Sequence, residues 1–171
     1  LKFGSFKLKS GMESDYFFNI AAFFDSESLS FLAECYVLKI LDLKIDFDLF
    51  FGPAYKGIPL ASVVATKYFE ATKKNIPLAF DRKEEKSHGE GGTIMGNLEG
   101  KKALLIDDVL TAGTAIKNSI EIIESNRGTF VGALVALDRE EPHDSGQTFQ
   151  EFYAKQGIKI HSIAKISELK K

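Results

Sequence analysis

The stretch that most restricts how this chain can fold is residues 103–115, ALLIDDVLTAGTA. Ala103, Leu104, Leu105 and Ile106 form an apolar run bounded by charge, which predicts a strand covered on both faces in a parallel sheet. Asp107 and Asp108 then fall at the carboxyl end of that strand. In open α/β sheets ligands bind at this edge, because its loops lie outside the packed layers and the next helix points its amino end at the crevice. Thr111, Ala112, Gly113, Thr114 and Ala115 are all small or hydroxylated. A backbone made of such residues can approach an anion closely and offer it several N–H groups, so the turn predicts a phosphate cradle at a helix N-terminus.

Two adjacent acids above such a cradle would repel a bare phosphate, but they suit the vicinal hydroxyls of a ribose carried on it. The stretch therefore predicts a ribose 5-phosphate site. The plainer alternative is a strand end with two solvated carboxylates and a helix capped by Thr111.

The rest of the chain alternates strands with helices. Residues 1–8 and 16–20 read as a hairpin punctuated by Ser10 and Gly11, with Lys9 at the end of the first arm. Arms of a hairpin alternate faces, so Phe17 and Phe18 in the second arm cannot both point inward. Asp25 or Ser26 caps a helix carrying Leu29, Leu32, Ala33, Tyr36, Val37, Ile40 and Leu41 at helical spacing. Strands follow at 47–51, 77–81, 129–137 and 158–164, and helices at 58–74, 113–125 and 149–155, with Ser167 expected to cap a last short helix. This order predicts an α/β fold: one domain over residues 1–171 with a parallel sheet and helices on both faces.

Three further segments would reach the same edge. Residues 52–57, GPAYKG, bring Tyr55 and Lys56 beside the Asp pair if their strands are parallel neighbours, which makes Lys56 a candidate anion ligand. Asp138 and Arg139 emerge from the strand over 129–137. Residues 82–96 have no apolar periodicity, and set Arg82, Lys83, Lys86 and His88 against Glu84, Glu85 and Glu90 before a run of glycines. A long charged loop beside an anion site reads as a lid, the alternative being a solvated connector.

Composition narrows the classes. The formal net charge of −2 gives no basic field to collect nucleic acid. No run approaches the ~18 apolar residues of a membrane span, and no secretory signal opens the chain. The lone Cys35 has no internal disulfide partner, and His143 and His161 have no ligand-spaced neighbours, so a cytoplasmic protein without a resident metal cage is expected. Leu1 stands where a chain would start with Met, and the helix-like tail is Lys-rich, so truncated termini are expected.

Taken together, LKSG (8–11), YFFN (16–19), FGPAYKG (51–57), RKEEKSHGEGG (82–92), DDVLTAGTA (107–115) and LDR (137–139) resemble, in order and spacing, the bacterial orotate phosphoribosyltransferases. The phosphate motif alone is similar to that of all type I phosphoribosyltransferases. The aromatic YFFN, the HGEGG loop and the LDR arginine carry the resemblance to the orotate family. It covers nearly the whole chain.

The resemblance implies the type I phosphoribosyltransferase fold, with the N-terminal hairpin as a small hood over the active site. It implies transfer of phosphoribosyl from phosphoribosyl pyrophosphate to N1 of orotate, giving orotidine 5′-monophosphate and pyrophosphate on the route to UMP. Mg²⁺ would be carried by substrate oxygens, with no direct protein ligand expected. By motif position, Thr111, Ala112, Gly113, Thr114 and Ala115 would hold the 5-phosphate, Asp107 and Asp108 would face the ribose hydroxyls, and Val109 and Leu110 would belong to the same phosphoribosyl pyrophosphate site. Lys9, Tyr55, Lys56, Arg82, Lys83, Lys86 and His88 would contact phosphoribosyl pyrophosphate. Phe17, Phe18, Thr111 and Arg139 would form the orotate site. Lys83, Lys86, His88, Asp107 and Asp108 would be catalytic, and a homodimer is implied, its lids reaching across to the other subunit. One departure is the hairpin tip, Gly11 to Asp15, which lacks the basic residue and proline common in the family. Two alternatives are a transferase for another base and a non-catalytic regulator that binds phosphoribosyl pyrophosphate as a signal.

Overall fold

The computed structural model describes residues 2–7, 13–82 and 94–170. Strands β1 (Lys2–Lys7) and β2 (Glu13–Phe17) pair antiparallel as a separate hairpin. The main sheet contains β3 (Leu49–Gly52), β4 (Leu78–Asp81), β5 (Ile94–Met95), β6 (Lys102–Leu110), β7 (Thr129–Asp138) and β8 (Ile160–Lys165) in the order β5-β4-β3-β6-β7-β8. β4, β3, β6, β7 and β8 are parallel, and β5 alone runs antiparallel, at the edge beside β4.

Strand alternation divides the core in two. Phe50, Leu104, Ile106, Leu134 and Ala136 pack against α1 (Ser26–Leu43) and α2 (Gly57–Thr72). Their neighbours Phe51, Leu105, Ala133 and Val135 face the other way, against α3 (Thr114–Ser125) and α4 (Phe149–Lys155). With both faces covered, β6 is buried from Ala103 through Asp107, and each buried Leu or Ile there contributes about 1.5–3 kcal/mol relative to exposure. The expected α/β layering with helices on both faces is what forms. Among the described residues no helix is long and apolar enough to cross a membrane.

Local chemistry sets the helix ends. Asp25 accepts a hydrogen bond from the Ser28 N–H at 2.9 Å and so starts α1. Thr148 and Glu151 form a reciprocal capping box on α4. The last helix, α5 (Ile166–Leu169), is preceded by Lys165 as its cap, and not by Ser167, whose N–H is instead held by Glu140.

Several boundaries differ from expectation. β6 does not stop before the Asp pair: β7 continues to pair with it through Asp107–Val135, Val109–Leu137 and Leu110–Asp138, so both acids lie inside the strand, with Val109 and Leu110 still to follow. Met95 and Ile94 in the expected loop pair with Phe80 and Asp81. A two-residue strand is too short to leave a periodic signal. Gly113, with φ of 71°, precedes α3 in the cap position, in place of the Thr111 of the plainer alternative.

Candidate active site

Because the five long strands are parallel, the ends of β3, β4, β6 and β7 share one edge, and the site forms there. The loop after β3 is folded hard onto β6. A Cβ on Gly52 would lie 2.6 Å from the Gly57 carbonyl oxygen, and one on Gly57 would lie 3.0 Å from the Ile106 carbonyl oxygen. Only glycine permits this approach. The Ala54 N–H donates to Asp81 Oδ1 at 2.7 Å, tying the loop to the end of β4, and the Ala54–Tyr55 peptide is cis. Lys56 consequently starts α2 directly beside β6, and its Nζ donates to Asp108 Oδ2 at 2.8 Å. Tyr55 in the same loop is exposed.

Asp107 and Asp108 occupy unlike environments although they are adjacent. Asp107 is 8% exposed, and its Oδ1 accepts the Asp108 N–H at 2.8 Å. Its carbonyl accepts a 2.7 Å hydrogen bond from the Tyr36 hydroxyl, which α1 delivers across the sheet. Burial, then the neighbouring Asp108 carboxylate, push the Asp107 carboxyl up to about 7, with Lys56 acting in the opposite direction. Burial and the same two acids push the Tyr36 phenol well above its ordinary value, so it remains a donor. The site thus holds an acid poised to ionise when a ligand brings donors to it.

The turn after β6 leaves Thr111, Ala112, Thr114 and Ala115 exposed and buries Gly113. Among the described residues no side chain caps α3 and its first turn carries no acid, so its first N–H groups and positive dipole end favour an anion there. Val109 is half-buried before the turn, and Leu110 anchors it in the α3-side core. Tyr153 of α4 supports the turn from below: its hydroxyl donates to the Ala112 carbonyl at 3.3 Å, and a Cβ on Gly113 would sit 2.3 Å from its Cε2. Sequence reasoning had no means of finding Tyr153, which lies 41 residues further along the chain from Ala112.

Arg139 completes the edge. Its backbone N–H donates to the Leu110 carbonyl at 3.2 Å, fixing it next to the turn after β6, and its Nε donates to the Tyr16 hydroxyl at 2.9 Å. The hairpin is thereby brought to the same place. The second arm is Glu13–Phe17 and not 16–20, so Phe18 lies just past the strand and alternation does not apply to it: Phe17 is 41% exposed, whereas Phe18 is half-buried against the α1-side core and Phe23. Arg82, at the end of β4, turns toward β5, with Nη2 3.2 Å from Met95 Sδ. Lys9, Lys83, Lys86 and His88 lie outside the described residues.

Comparison with known proteins places the chain in a family. The family described as "Phosphoribosyl transferase domain" matches residues 28–168. An orotate phosphoribosyltransferase of Salmonella paratyphi A is 46% identical over 171 residues, covering 99% of this chain and 80% of its own. The Erwinia tasmaniensis orotate phosphoribosyltransferase is 45% identical over 170 residues with the same coverage. The crystal structure of the Francisella tularensis orotate phosphoribosyltransferase superposes with a TM-score of 0.84 at 34% identity, covering 98% of this chain and 81% of that one.

Proposed function

Since this chain belongs to the phosphoribosyltransferase domain family, and within it to the orotate phosphoribosyltransferases, we propose how its residues divide the transfer of phosphoribosyl from phosphoribosyl pyrophosphate to orotate. The C1–O bond to pyrophosphate breaks and an N1–C1 bond to the base forms as N1 gives up its proton, through a ribosyl centre with cationic character. Chemistry of this kind is governed by positioning and by stabilisation of separating charge.

The turn over Thr111, Ala112, Gly113, Thr114 and Ala115 holds the 5-phosphate on its N–H groups. Asp107 and Asp108 accept the ribose hydroxyls, and the nearby carboxylate charge favours the cationic centre. In the free site Lys56 satisfies Asp108; with substrate bound, the hydroxyls take over that carboxylate and the ammonium turns with Tyr55 toward the diphosphate. Lys9, Arg82, Lys83, Lys86 and His88 stabilise the departing pyrophosphate, the last three from the lid of the other subunit in a cytoplasmic homodimer. Phe17 and Phe18 pack on orotate, Thr111 contacts it, and the Arg139 guanidinium offers its fork to the base's oxygens. Residues 1–171 act as one catalytic domain.

The Asp107 and Asp108 carboxylates are hard oxygen acceptors that would hold the water ligands of a Mg²⁺ carried by phosphoribosyl pyrophosphate. The chemistry such an ion would supply is neutralisation of charge on the leaving diphosphate.

The observation that carries this division is the Arg139 N–H bond to the Leu110 carbonyl, which sets a fork-shaped cation beside the start of the phosphate turn. Arg139→Ala is expected to raise the Michaelis constant for orotate by about 10- to 100-fold, the worth of a hydrogen bond to a charged group, and to leave that for phosphoribosyl pyrophosphate within about twofold. An equal rise in both constants would remove Arg139 from the base site.

A further inference from the structure

Arg139 is built into a junction of three chain segments that come from opposite ends of the sequence. Tyr16 of β2 is 5% exposed, and its ring lies under two cations: Arg139 Cζ at 4.9 Å and Lys170 Nζ at 4.7 Å from the centroid. Each cation has its own carboxylate. Glu141 Oε1 stands 3.2 Å from Arg139 Nε, both side chains being nearly buried, and Asp15 accepts from Lys170 at 2.8 Å. The Ser167 N–H donates to Glu140 at 2.8 Å, closing the third side.

We propose that Tyr16 and Glu141 are positioning residues for orotate: they set the plane of the Arg139 guanidinium and lock the hairpin that carries Phe17 and Phe18 in register with it. The inference rests on the reading of Arg139 as a base ligand. A guanidinium recognises planar oxygen pairs through two parallel N–H bonds, so its value depends on orientation as much as on presence. Nε is the nitrogen nearest the aliphatic stem, and a hydroxyl bonded to its N–H, a carboxylate oxygen 3.2 Å from it and a ring whose centroid is 4.9 Å from Cζ restrict how the group can turn. Tyr16 supplies two of these three constraints. Because Tyr16 directly precedes Phe17, the same contact fixes how far the hairpin reaches over the base.

Tyr16→Phe keeps the ring and removes only the hydroxyl. It is expected to raise the Michaelis constant for orotate by about five- to tenfold, with kcat and the constant for phosphoribosyl pyrophosphate within about twofold and an unchanged Tm. In an Arg139→Ala background the same change should add less than about twofold, since there is no guanidinium left to orient. Glu141→Gln, read in the same way, gives a second and independent measure, with an expected rise of about threefold. Wild-type orotate constants in Tyr16→Phe and Glu141→Gln, while Arg139→Ala is impaired, would overturn the positioning role and leave the base-site reading standing. Full additivity of Tyr16→Phe with Arg139→Ala, or matched losses for both substrates with a lowered Tm, would equally overturn it as a merely structural contact. An unchanged orotate constant in Arg139→Ala would instead remove the base-site reading itself, and the proposal with it.

Discussion

Asp107→Asn is expected to stabilise the folded protein at pH 8 and to lower kcat/KM for phosphoribosyl pyrophosphate by about 100-fold or more. Both effects come from one property, an acid held in a place that resists its charge. In the folded chain the Asp107 carboxyl is pushed up to about 7, mainly by burial and then by Asp108; in the unfolded chain it titrates near 3.9, as an ordinary aspartate does. Between those values the folded state binds the extra proton, so the stability this group contributes is present at low pH and is lost as pH rises through the window. Each pH unit there costs about 1.4 kcal/mol. An asparagine carries no such cost and keeps an oxygen for the Asp108 N–H, so a Tm higher by on the order of 5 °C at pH 8 and a flatter stability profile from pH 4 to 7 should follow. Activity falls because a neutral amide is a weaker acceptor for the ribose hydroxyls and brings no negative charge to the cationic centre. In the wild type kcat/KM should lose activity below about pH 7. Lys56→Met, which removes the cation that favours the ionised form, should move that limb upward. A pH-independent difference in stability between Asp107→Asn and wild type would contradict the assignment.

Gly113→Val should raise the Michaelis constant for phosphoribosyl pyrophosphate by about 100-fold. Two independent constraints meet at this residue. Its φ of 71° lies in the left-handed region, where a side chain costs roughly 1–2 kcal/mol, and its Cβ would stand 2.3 Å from Tyr153 Cε2. Tyr153 is 6% exposed and packed in the α3-side core, so the ring has little room to yield and the turn must lift. A lifted turn no longer aims its N–H groups at one point. Removing the obstacle in Gly113→Ala with Tyr153→Ala should recover part of the affinity lost in Gly113→Ala, since the backbone strain persists. No recovery at all would show that the ring is not what shapes the cradle.

What could be read from the residues was whatever depended on local chemistry. The apolar run into Asp107 and Asp108, and the small residues from Thr111 to Ala115, announce a strand, a sheet edge and a tight turn into a helix within 13 positions. Lys56 could be placed because a loop at the end of one parallel strand must neighbour the end of the next. The extension of β6 through Leu110 could not, because the pairing with β7 that carries it is made by residues nearly 30 positions away. Gly113 took the cap position from Thr111 for a related reason: the close approach of Tyr153 favours a residue without a side chain. Tyr36, Tyr153 and Tyr16 hold the Asp107 backbone, the turn after β6 and Arg139, across separations of 71, 41 and 123 residues. A tyrosine that supports a site looks in sequence like any other core aromatic, and only the fold shows where its hydroxyl ends.

The most direct measurement is the loss of orotate absorbance when phosphoribosyl pyrophosphate and Mg²⁺ are added to the purified protein, with uracil and hypoxanthine as parallel controls. Consumption of orotate alone, with one pyrophosphate released for each orotate lost, is the predicted result. Binding of phosphoribosyl pyrophosphate without consumption of any base, or consumption of hypoxanthine in preference to orotate, would contradict it.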